Sequence, residues 1–89
     1  MSRVLSPLAQ ELRSIFARAL EEMHPDRQLK FSRKRLKINR IGFCFSYSAN
    51  WPQASYAEID AALLMLHHAG YILYGANTIT LKDSLLKRN

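Results

Sequence analysis

The chain of 89 residues has little of what special-purpose scaffolds are built from. With one cysteine, Cys44, no internal disulfide can form, so the framework of small secreted domains is excluded and a reducing, cytoplasmic setting is expected. Three glycines and three prolines are too few for a low-complexity or disordered chain. The longest strictly apolar run, Ala61 to Leu66, falls far short of the ~20 residues that span a bilayer. Glu11 and Arg13 interrupt the only stretch that could serve as the apolar part of a secretory leader, so no membrane association is expected.

Catalytic signals are also scarce. There is no glycine-rich phosphate loop, no paired-cysteine metal motif and no close carboxylate pair in an aromatic pocket. His67 and His68 are neighbours, and on a helix neighbours point about 100° apart, which does not suit one metal ion. No base is placed beside Cys44 to make it a nucleophile. The expectation is a protein that is not an enzyme and uses no metal or other cofactor.

Acidic residues are missing in one place in particular. None lies between Arg27 and Ala57, while Arg27, Lys30, Arg33, Lys34, Arg35, Lys37 and Arg40 supply seven of the thirteen bases. The net charge is +6, which favours a polyanion or an acidic protein surface as partner. If Leu29, Phe31, Leu36 and Ile38 face a core, Lys30, Arg35 and Lys37 project from the other side, with Arg33 and Lys34 at a turn. Such a ridge offers donors to several phosphates. The plainer alternative is a solvated strand face.

What remains is ordinary globular composition, 48% hydrophobic and 22% charged, and 89 residues suffice for one core. Ser6 and Pro7 start a helix over about 7–23, with Leu8, Leu12, Ile15, Phe16, Ala19, Leu20 and Met23 as its apolar stripe, and Pro25 ends it. Ser55 and Glu58 form a capping box for a helix over about 56–69, with Ile59, Ala62, Leu63 and Leu66 as core and Gly70 as stop. Leu64 and Met65 widen its apolar side, which predicts cover on more than one face. Short hairpins are expected over about 28–38 and about 71–82, the second turning at Gly75-Ala76-Asn77; they share one apolar spacing, open to reading as a repeat. Between them, Ile41, Phe43, Phe45 and Tyr47 alternate with Gly42, Cys44, Ser46 and Ser48, which predicts an aromatic strand over about 41–48. A helix using Ile38, Ile41 and Phe45 is the other reading, and Gly42 weakens it.

The capped helix Ser55 to Ala69, the Gly70-Tyr71-Ile72 junction and the hairpin ending in Thr78-Ile79-Thr80-Leu81-Lys82-Asp83 resemble the second half of a winged-helix domain. The resemblance covers under half of the chain. It implies that the second helix is a recognition helix and residues 73 to 80 a wing, in a DNA-binding protein. Against that pattern the helix carries Glu58, Asp60, His67 and His68 but no Lys or Arg.

Together these readings predict a small single-domain α+β fold with two amphipathic helices and short antiparallel strands or hairpins, winged-helix-like. The expected function is nucleic-acid binding, duplex DNA foremost, by a DNA-binding regulator or accessory factor. Arg27, Lys30, Arg33, Lys34, Arg35, Lys37, Arg40 and Lys82 would bind, with Trp51, in a turn beside Pro52, as a contact anchor. The alternative is a protein-interaction module or inhibitor docking the same basic and aromatic groups onto an acidic partner such as a nucleic-acid enzyme. Val4, Leu5, Leu85 and Leu86 leave apolar residues near both ends, either for a homodimer contact or for packing on the first helix.

Overall fold

The computed structural model describes residues 5–23 and 36–86. Its elements are α1 (Pro7–Met23), β1 (Lys37–Asn39), α2 (Arg40–Asn50), α3 (Tyr56–His68), β2 (Ile72–Tyr74), β3 (Thr78–Leu81) and a 3-10 turn, Asp83–Leu86. Three helices and one three-stranded antiparallel sheet make a single α+β domain. The sheet order is β1-β3-β2, so the first strand inserts beside the last. This order of elements is compatible with a winged-helix-like topology.

At the start of α1 the Ser6 hydroxyl accepts the N–H of Ala9 at 3.2 Å. Ala9, Leu12, Phe16 and Leu20 are buried against α3 and the 3-10 turn, while Ile15, expected in the stripe, is exposed. Leu85 is buried and Leu86 packs on the same core, so these two residues cover α1, while Val4 lies outside the described residues.

Residues 41–48 do not form a strand; they are the body of α2. Ile41, Phe43, Phe45 and Tyr47 recur every two residues, but the same set contains two pairs at helical spacing, 41/45 and 43/47. The helix puts Phe43 and Tyr47 on one side with the buried Cys44, and the Phe43 ring stands 5.2 Å from that of Phe16. Asn39 caps it, its side chain accepting the N–H of Gly42 at 2.7 Å. A Cβ at Gly42 would stand 3.1 Å from that same Asn39 oxygen, so the glycine that argued against a helix lets the cap sit close. Packing on α3, with the Phe16 ring of α1 beside Phe43, thus outweighs the low helix propensity of glycine.

The capping box of α3 is closed in both directions: Ser55 Oγ accepts from Glu58 N–H at 3.2 Å, and Glu58 Oε1 accepts from Ser55 N–H at 2.9 Å. Ile59, Ala62, Leu63 and Leu66 are buried. α3 packs against α1, α2 and β2, so it is covered on more than one side, with Met65 packed on the core while Leu64 stays 41% exposed. Gly70, at φ +89°, lets the chain reverse; Tyr71 N–H returns to Leu66 C=O at 3.0 Å.

β2 and β3 form a tight hairpin across residues 75–77, with Gly75 N–H donating to Thr78 C=O at 2.8 Å. β1 pairs with β3 in the register Lys37–Thr80, Ile38–Ile79 and Asn39–Thr78. Ile72, Ile79 and Leu81 face the helices and are buried. Alternation then sends Lys37, Asn39, Leu73, Thr78 and Thr80 to the outer face. Of the expected basic hairpin, residues 28–35 lie outside the described residues, and the described part, β1, pairs with β3. The helix–hairpin repeat therefore lacks a described counterpart: the apolar Ile38 of the first set lies opposite Ile79 of the second.

Candidate nucleic-acid interface

The outer face of the sheet is polar and carries positive charge. The register brings Lys37 opposite Thr80, two residues before Lys82, whose backbone N–H bonds to Tyr71 C=O at 3.2 Å. Lys37, Asn39, Thr78 and Thr80 offer an ammonium, an amide and two hydroxyls; none of the outer-face residues is acidic. Leu73 is the one large apolar side chain there, 48% exposed. The chain joins this face at Leu36, whose C=O accepts from Leu81 N–H at 2.9 Å. Arg27, Lys30, Arg33, Lys34 and Arg35 precede that junction in sequence and lie outside the described residues.

Arg40 is not part of this face. As the first residue of α2 it turns towards α3 and the β2–β3 hairpin. Its guanidinium donates to Asp60 Oδ1 at 2.7 Å and Tyr74 Oη at 2.8 Å, while Nε and a second terminal nitrogen donate to Ala76 C=O at 3.1 and 2.8 Å. Its backbone N–H binds Asn77 C=O at 2.9 Å. The Tyr74 hydroxyl lies 2.8 Å from both Asp60 oxygens. The hydrogen bond to Asp60 raises the Arg40 pKa above its ordinary value, and desolvation, followed by the Asp60 hydrogen bond, raises that of Tyr74. Arg40 therefore fixes the β2–β3 hairpin to α2 and α3 and has few donors left for a phosphate.

Trp51, the other anchor expected, caps the far end of α2 and is 43% exposed, its ring 6.2 Å from that of Tyr47. With Pro7, Leu8, Glu11 and Gln53 it borders a shallow hollow of about 240 Å³, away from the sheet. The neighbouring Tyr47 hydroxyl donates to Glu11 at 3.0 Å, and its pKa is pushed up to about 12 by desolvation first and by that hydrogen bond second.

The outward sides of α2 and α3 are the feature that reading the segment as a strand concealed. Phe45 is 64% exposed and rests on Tyr56 with ring centroids 4.9 Å apart. Ile41 shares its side of α2, and on α3 the exposed Ala57, Ala61 and Leu64 follow helical spacing. The helical pair 41/45 was the available signal.

Cys44 is buried, and desolvation raises its thiol pKa, with Asp60 adding to the effect. His67 Nδ1 accepts the Tyr74 backbone N–H at 3.3 Å. Among the described residues no group of three or more His, Cys, Asp or Glu could hold a metal ion, and no described helix is long and apolar enough to cross a membrane. Comparison of the chain with family models, with curated proteins and with solved structures finds no match in any of the three.

Proposed function

We propose that this protein is a winged-helix-type nucleic-acid-binding domain, a cytoplasmic DNA-binding regulator or accessory factor. It holds phosphates on the outer face of the sheet and on the basic stretch from Arg27 to Lys37, and does not read a groove with α3. The observation that carries this reading is the separation of charge: Lys37 shares the outer sheet face with Asn39, Thr78 and Thr80, and none of these residues is acidic. On α3 the charged residues are Glu58 and Asp60, and Asp60 already holds Arg40. Phosphate neutralisation supplies most non-specific affinity, so the cationic face is the one that duplex DNA would meet.

A second reading, docking onto a protein, draws on the exposed Ile41, Phe45 and Leu64, since exposed apolar groups on neighbouring helices suit a protein surface better than a phosphate backbone.

Titration of duplex DNA, single-stranded DNA and RNA by anisotropy at about 150 mM salt separates the two. Micromolar or tighter duplex binding is expected. Changing Arg33, Lys34, Arg35 and Lys37 together to Ala should abolish it, each lost phosphate contact lowering the salt slope by about one. Failure to bind any nucleic acid would overturn the proposal and move the search to a protein partner.

A further inference from the structure

A groove of about 650 Å³ lies between α1 and the turn from α3 into β2, within the roughly 300–1,000 Å³ range of small-molecule sites. Gln10, Arg13, Ser14, His68 and Tyr71 are among its lining residues, and no described lining residue is a carboxylate. The Arg13 guanidinium lies over the Tyr71 ring, 4.5 Å from its centroid. Stacking on an aromatic face fixes the plane of a guanidinium and leaves its N–H edge available to an oxyanion. Arg40 is the contrasting case, because its donors are taken by Asp60, Tyr74 and Ala76. Arg13 has no ion-pair partner among the described residues.

We infer that this groove binds the phosphate group of a small phosphorylated molecule, with the Arg13 guanidinium, held over Tyr71, as the principal ligand. A guanidinium fork engages two oxygens at once, and a phosphate monoester brings about −1.5 to −2 of charge to it where a carboxylate brings −1. The site stands independently of the sheet surface proposed for nucleic acid, because Arg13 and Ser14 come from α1.

The test is an amide-resolved NMR titration of the full chain with inorganic phosphate, against sodium chloride at matched ionic strength. Saturable shifts are expected at Ser14, Ala69 and Tyr71. Arg13→Gln should weaken them about tenfold or more, as loss of a charge-assisted hydrogen bond would. Arg13→Lys, which keeps the charge but loses the fork, should fall between, and it carries the test if Arg13→Gln fails to fold. Shifts equal to those given by chloride, or unchanged in the Arg13 variants, would overturn the site. Acetate binding as tightly as phosphate would overturn the choice of phosphate. Shifts on adding duplex DNA, at Lys37 and Lys82, report separately on the sheet surface.

Discussion

The outer face of the sheet and the outward sides of α2 and α3 are both made of short elements laid over one core, yet their chemistry differs. The sheet face gathers Lys37, Asn39, Thr78 and Thr80, while the helices expose Ile41, Phe45 and Leu64. The one arginine of α2 and α3 that could have given them a free positive charge is bound to Asp60, Tyr74 and the backbone of the β2–β3 turn. A winged-helix-like order of elements therefore does not say which surface works. The allocation of a few cations does, and here it separates the surface suited to phosphate from the helix that the fold would nominate.

The largest effect expected from this contrast is on affinity. Changing Lys37 and Lys82 together to Ala should lower duplex affinity about tenfold and the salt slope by about two, whereas Ile41→Ser with Phe45→Ser should leave affinity within about twofold. The reverse outcome in anisotropy titrations would assign the interface to the helices.

Next comes the clamp that keeps the two regions apart. Asp60→Ala strips Arg40 and the Tyr74 hydroxyl of their shared carboxylate and should lower Tm by about 5–10 °C, measured by circular dichroism. It should not raise duplex affinity to the level contributed by the sheet lysines.

Smaller effects test the supports of the helical side. Tyr47→Phe removes the bond to Glu11 and should cost about 1 kcal/mol in urea denaturation. The folded state raises the Tyr47 pKa from 10.0 to about 12, so its contribution is complete below about pH 10 and is lost as pH rises through about 12. The phenylalanine variant should lack that alkaline loss. The least effect is expected from Ser55→Ala, about 1 kcal/mol or below, as for other lost helix caps. Backbone and side-chain hydrogen bonds at Ser55 lower the Glu58 pKa, so its contribution is present above the ordinary carboxylate range and fades as pH falls through the lowered value. That acid-side loss should shrink in the Ser55 variant, as acid titration of stability would reveal.

The parts of the fold that were legible in the sequence are those set by neighbours along the chain. The Ser55–Glu58 box, Gly70 and the short turn at residues 75–77 each carry their own signal within a few residues. Residues 41–48 carry two compatible periods, and the choice between them was made by Phe16, far away in sequence, packing on Phe43. The candidate site divides in the same way. Charge excess was visible, but placing Lys37 opposite Thr80 required the β1–β3 register, and the removal of Arg40 required knowing that Asp60 lies beside it.

The bond from the Tyr74 N–H to His67 has a consequence for behaviour at high concentration. β2 lies at one margin of the sheet, and an open margin of backbone donors and acceptors is a template on which another chain can add a strand and begin to aggregate. With its donor at Tyr74 already given to an imidazole from α3, β2 makes a poor template, and the opposite margin, β1, is only three residues long. That bond leaves the β2 margin with one fewer open donor for strand addition, even though Leu73 stands exposed on the same strand.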